Sequence, residues 1–401
     1  MATVGLLSTA DIPATLAKLS FSGLITRLSP NGSTPLFGLT TMLKDETVVS
    51  FEHGYWTKTM IFPSVVLNGA IGDGTTTAFV VDSTADTVVG DLFMNGTTGE
   101  NILITSVPNT TELQVRRGVG TVAAAAMADN EILYHIGNAF EQASLRPQAI
   151  SLVATYYSNY TQIFRNSWAV SNTLAQMTML AGDGAVAESK RDCALFHALA
   201  IEKALFFGQK FLGTRNGQPF HTMEGVVRRV TAAAPGNVTT LGGTTNWTQL
   251  EAAFDVVLNT STDASSSNTR TAFVGGVGRR VLHNIARLNS SYQITTMETK
   301  WGLQLDTIRT PRGIFEIIEH RLFNAYGQSA PWAKMMIIMD LNAFSIGYLR
   351  KTKEKSYNED GVPVDNGVDA QGGTLTTELT CLIKNPAAFG IIYNFTAAAA
   401  G

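Results

Sequence analysis

The sequence predicts an α+β protein that carries a small all-β domain inserted between two strand-rich stretches. Three observations predict it. Residues 188–211, ESKRDCALFHALAIEKALFFGQKF, read as one long helix in a chain otherwise rich in strands and turns. Two aromatic β-rich stretches, 48–68 and 151–170, flank a segment of quite different composition. Finally, 45% of the 401 residues are hydrophobic and only 15% are charged, against the usual quarter. So few charges cannot cover a monomer's surface, and much of it is expected to lie against other chains. The length implies two or three lobes.

Residues 1–47 read as an arm, because STADIPATLAKLSFSGLITRLSPNGSTPL mixes an amphipathic segment with Pro and Gly breaks. In VVSFEHGYWTKTMIFPSVVLN and SLVATYYSNYTQIFRNSWAV aromatics alternate with polar groups, and pairing the two would make one long hairpin. A lone two-stranded ribbon is marginal in water, so Trp56, Tyr157 and Trp168 are expected to find partners on another chain. Between these stretches, residues 70–137 hold eight acidic residues against Arg116 and Arg117. Short alternating runs (TTAFVVD, NILITSV, ELQVRRG, EILYHIG) recur between turn signals, the pattern of a small sandwich or barrel.

For the long helix, Asp183 offers an N-cap and Gly213 a residue just past the end. Its wheel has almost no polar side. Ala194, Ala198, Ile201, Leu205 and Leu212 form one stripe, suited to the chain's own sheet. Leu195, Leu199 and Phe206 form a second stripe among Arg191, Glu202 and Gln209, expected at a boundary with a neighbour or the arm. Beyond it, 246–261 and 276–291 read as helices, and TAFVGG, GIFEIIEHRLF, MMIIMDL, FSIGYLRKTKEK and LTTELTCLIKNPAAFGIIYNF as strands. MMIIMDL should be buried on both faces, whereas LTTEL alternates and should be half-solvated.

Signatures of chemistry are missing. There is no G-x-S-x-G, G-x-x-x-x-G-K-[ST], H-E-x-x-H or C-x-x-C, and GGVGRR at 275–280 lacks the third Gly of a dinucleotide loop. The six histidines are scattered, and His197, between apolar stripes, reads as a core residue. Cys193 and Cys381 stand alone, which suits buried thiols and not a disulfide or zinc site. The N-terminus makes a poor signal peptide, and no apolar run approaches the ~18 residues of a membrane span. With a net charge of −3 no basic field draws the chain to nucleic acid. Its local basic concentrations are Arg228 and Arg229, and Arg350, Lys351, Lys353 and Lys355. Lys351, Lys353 and Lys355 would share one strand face, either simply solvated or set against phosphates or a neighbour's acidic patch.

The order of arm, aromatic hairpin, long helix and α+β lobe resembles the major capsid proteins of tailed bacteriophages, the Hong Kong 97-like fold. The likeness is to the subgroup with a β-domain inserted in the extended loop. It rests on RLSPNGSTPL, YSNYTQIFRNSWAVSNTLAQ, ESKRDCALFHALAIEKALFFG, GTRNGQPFHTMEGV and MIIMDLNAFSIGYLRKT, with GGTLTTELTCLIKNPAAFGIIYNF at the end. The resemblance implies an N-terminal arm (1–47) and an extended loop with outgoing (48–69) and return (138–180) strands around the insert (70–137). It further implies a peripheral domain with a spine helix (181–235), an axial domain (236–342), peripheral strands (343–373) and final axial strands (374–401). It implies a non-enzymatic, cofactor-free subunit whose pentamers and hexamers form an icosahedral virion shell, built in the host cytoplasm. Packaged double-stranded DNA would touch the inner face without sequence preference; portal, scaffold and decoration proteins are further partners, and no membrane is involved. No scaffold segment is visible before the arm, so a scaffold should come from another chain. Lys58 lies in the loop used by crosslinking members, but no partner Asn and acid are evident. Tail-tube or surface-layer proteins and an enzyme of unknown class are the competing readings.

Overall fold

The structure, a computed structural model, describes residues 35–40, 46–179, 183–260, 268–288, 295–300, 303–356 and 369–398. Most of the expected arm therefore lies outside the described residues. The chain divides into two compact units: Met1–Tyr55 with Tyr157–Gly401, and Trp56–Tyr156.

In the smaller unit the strands are ordered Ser64–Val66, Ile132–Asn138, Asp91–Asn95, Asn101–Asn109, Glu112–Arg116 and Ala78–Val80. The two ends of that order meet. Leu67 bridges Val81, the Asn68 N–H donates to the Val80 carbonyl at 2.9 Å, and the Asp82 N–H to the Val66 carbonyl at 3.0 Å. The sheet thus closes into a barrel, which removes the edges that would otherwise template aggregation. Alternation sends Phe79, Phe93, Ile102, Leu113 and Leu133 inward. The fully buried Glu100 accepts from Arg117 at 2.6 and 3.0 Å and from the Gly118 and Ala125 amides, which ties the 118–125 loop to the barrel. The expected start at residue 70 needs correcting: Val65 and Leu67 are core, so the barrel begins at Ser64.

Among the described residues the larger unit holds two main sheets. One is ordered Glu46–Thr47, Phe344–Ser356, Ala370–Ile383 and Gln162–Ser171. The other is ordered Val238–Thr240, Gly390–Tyr393, Met336–Met339, Thr269–Val274, Ile314–Glu319, Leu303–Arg309 and Thr295–Lys300. All four residues of Met336–Met339 are buried, with Ile337 and Met339 facing one core and Met336 and Ile338 the other. The helices Trp247–Leu258 and Gly276–Leu288 cover the second core. A capping box starts the first of these, with Asn246 and Gln249 exchanging side-chain bonds to each other's amides.

The long helix runs Ala185–Phe207, packed against Gln162–Ser171. Its ends differ from expectation. Gly184, at φ 105°, precedes it, and Asp183 pairs instead with Arg191 at 2.6 Å. It stops at Gly208, where a Cβ would lie 2.6 Å from the carbonyl oxygens of Ala204 and Met223. Gly213 sits in the following hairpin, Phe211–Arg215 with Gln218–Thr222.

Three further expectations are corrected. The aromatic stretches do not form one long hairpin: Glu52–Thr57 pairs with Thr155–Tyr160, but Gln162–Ser171 turns away to pair with Ala370–Ile383. That same strand carries 374–383 into the first sheet, so only Gly390–Tyr393 joins the second. The LTTEL segment is not half-solvated, because Thr377 and Glu378 are buried by polar partners: His197 meets Thr377, and Arg350 and Thr161 meet Glu378.

Candidate functional site

Among the described residues no convergent catalytic cluster stands out, and the candidate functional residues are those on surfaces. On the long helix the buried face is Cys193, His197, Ile201, Glu202, Leu205 and Phe206. The two-stripe expectation is thereby rotated. Ala194 is exposed, and Phe206 is core, edge-on to Phe273 at 5.4 Å and Phe323 at 5.3 Å. The physical reason is that His197 and Glu202 are buried polar residues whose partners lie far away in sequence. His197 is a satisfied core histidine, 2.9 Å from Asn166 Oδ1 and 2.7 Å from Thr377 Oγ1, and burial pushes its pKa down. Leu199 is half-buried, in a row with Phe196, which is 62% exposed. The row continues to Lys203, whose ammonium donates to the Tyr326 hydroxyl at 3.3 Å.

The base of the ribbon is tied into its own unit. The Tyr157 hydroxyl donates to the Glu224 carboxylate, and the Arg229 guanidinium lies 3.4 Å over its ring. Burial and the neighbouring Glu224 carboxylate raise the Tyr157 pKa. Arg229 also donates to the Tyr55 hydroxyl at 3.4 Å, which in turn donates to the Ile383 carbonyl. Asn159 donates to the carbonyls of Cys381 at 2.8 Å and Glu224 at 3.0 Å. Lys210 reaches the Ser158 carbonyl at 2.7 Å and lies 4.5 Å from the Tyr160 ring. Tyr157 is therefore engaged within the subunit, and so is Arg229.

Trp168 is likewise corrected. It is only 6% exposed, packs with Val170 and Cys193, donates to Glu354 at 3.1 Å and lies under the Lys190 ammonium at 4.8 Å. The strand's register sets it opposite Gly373, where a Cβ would approach its indole to 2.7 Å. Trp56 behaves differently: in the smaller unit it is 68% exposed, against Tyr156 at 4.9 Å. In the same unit Lys58–Phe62 and Glu141–Val153 are also continuously exposed, and they include Met60, Phe62 (83%), Leu145, Ile150 and Val153. Such an apolar, irregular surface is the kind that marks an interaction site.

Of the basic residues, Arg228 is exposed, and so are Lys351, Lys353 and Lys355. A register irregularity between Arg350 and Lys353 interrupts the alternation, so the three lysines do not sit on one regular face. The cysteines are buried, with Cys381 pushed up to about 12 by burial and then by Glu224. Among the described residues no group of three His, Cys, Asp or Glu could hold a metal ion.

The family model of the SU10 major capsid protein matches residues 7–396. The chain belongs to the SU10 major capsid protein family. It is 36% identical, over 97% of its length and 95% of the relative's, to the major capsid protein of Pseudomonas phage PaMx41. Among solved structures it resembles a chain of Mycobacterium phage Cain, with a TM-score of 0.50 at 11% identity over 98% of this chain and 100% of that one. A likeness with a TM-score of 0.47, at 12% identity over 98% of each chain, is to the capsid of a native GTA particle. The fold is Hong Kong 97-like. As a major capsid protein the chain is a structural component of a phage virion, and copies of it form the shell.

Proposed function

We propose that the chain is the repeating subunit of a closed icosahedral shell around a tailed phage's double-stranded DNA, with copies gathered as pentamers and hexamers. The observation that carries this reading is the exposed apolar surface of Trp56, Met60, Phe62, Leu145, Ile150 and Val153. A lone subunit would leave it in water, and a neighbour covers it in a shell. The ribbon is the extended loop of the family, the barrel is its insert, and the Ala185–Phe207 helix is the spine. Membership of a structural family supports a subunit that does no metabolic chemistry. Arg228, Lys351, Lys353 and Lys355 are the candidate contacts to DNA phosphates, which need no sequence readout. The acidic barrel faces outward, because acids beside packaged phosphates would be repelled. Assembly takes place in the host cytoplasm, with portal, scaffold and decoration proteins as the further partners. No helix among the described residues is long and apolar enough to cross a membrane.

Electron microscopy of particles assembled from the expressed chain tests this. Closed shells with five-fold and six-fold clusters are the expected result. Rods or flat arrays would point to a tail-tube or surface-layer protein, and dispersed small particles would overturn the shell reading.

A further inference from the structure

Pro35–Thr40 packs against the long helix, and Leu36 is fully buried in the larger unit's core. The first amides of a helical turn have no partner within it. Here they find one in a single carboxylate. The Leu36 N–H donates to Glu202 Oε1 at 2.9 Å and the Phe37 N–H to Glu202 Oε2 at 2.7 Å. Oε1 also accepts from His320 Nε2 at 2.7 Å, and both side chains are fully buried.

His320 is enclosed by aromatic rings, stacked on Phe323 at 4.4 Å and edge-on to Phe206 at 5.1 Å. Its Nδ1 is buried without a hydrogen-bond partner. A proton there would be an unmet donor, so the ring carries its hydrogen on Nε2, toward Glu202. The nearby charges are turned elsewhere, with Lys203 on Tyr326 at 3.3 Å and Glu319 on Arg279 at 2.8 Å.

A buried carboxylate is costly unless donors meet its lone pairs. Two of the three donors at Glu202 come from residues 36 and 37, so burying this charge and seating that segment are one event. We propose that Glu202 is the receptor for residues 35–37, and that this carboxylate latches the Pro35–Thr40 turn onto the long helix. The occupant is this chain's own segment: Leu36 fills the core and two successive amides meet the carboxylate. The next described hold is Glu46, which accepts from Lys384 at 2.6 Å and from His53 at 3.2 Å.

The test is the full unassembled chain carrying Glu202→Leu with His320→Phe, so it is independent of the shell reading. Replacing both members of a buried polar pair by apolar side chains of similar volume keeps a core packed. The variant is expected to retain its far-UV circular dichroism and its thermal midpoint. Chymotrypsin should cut it after Phe37 on the order of tenfold or more faster than the parent chain, because the amides have lost their acceptor. Unchanged cleavage after Phe37 in the folded variant overturns the proposal. Should the variant not fold, hydrogen exchange on the unaltered chain decides. Slow exchange of the Leu36 and Phe37 amides supports the latch, because both donate to Glu202. Exchange as fast as at exposed amides overturns it.

Discussion

Trp168 and Trp56 lie on stretches of the same aromatic character, yet one is interior and the other exposed. The difference comes from the strand each belongs to. Truncating Trp168 to Ala removes an indole from a packed site with a hydrogen bond and a cation above it. The subunit should lose ~3 to 5 kcal/mol in thermal or denaturant unfolding, and an unfolding curve like the parent's would contradict the assignment. His197 gives a pH-dependent case. Burial lowers its pKa from the ordinary 6.5, so on acidification the unfolded chain takes up the proton first. Stability from this site is complete above pH 6.5 and falls as the pH drops toward the lowered folded value. His197→Gln should flatten the loss of stability as the pH falls below 6.5, as followed by unfolding at each pH. An unchanged slope would remove His197 from the account. His197 was legible as a core residue because it sits between apolar stripes. Glu202 was not, because its donors lie at residues 36, 37 and 320 and no local pattern joins them.

At the scale of elements, the long helix was legible to within a few residues, since apolar periodicity without Gly or Pro leaves few alternatives. Its burial face was not. Hydropathy places charged and polar side chains outside, and here a buried histidine and a buried glutamate turn the inner face away from Ala194. The corrected faces make a paired prediction. Ile201→Ala should destabilise the subunit by ~2 to 5 kcal/mol, because Ile201 is fully buried. Phe196→Ser should leave unfolding nearly unchanged but lower the yield of shells. Equal destabilisation by both would mean that Phe196 is no outer-face residue. The barrel was legible from alternation and turn signals, but its first strand was hidden inside the aromatic stretch, where VVLN reads equally well as ribbon. Replacing residues 63–139 by a short Gly/Ser linker should leave the larger unit folded, as judged by circular dichroism and its own cooperative unfolding. Loss of that unit's transition would show that the barrel belongs to the main core.

At the scale of the whole molecule, low charge content predicts surface hidden by other chains, and exposed apolar residues such as Trp56, Phe62 and Phe196 are candidates for it. In the proposed shell, the copy that covers them is set by contacts between subunits, which no pattern within one chain displays. Oxidative footprinting of side chains, comparing the free subunit with assembled shells, tests the central claim that neighbouring copies cover this surface. Trp56, Phe62 and Phe196 should label readily in the free subunit and become several-fold protected on assembly, while buried Trp168 stays unlabelled in both. Equal labelling of Trp56 and Phe62 before and after assembly would contradict the account.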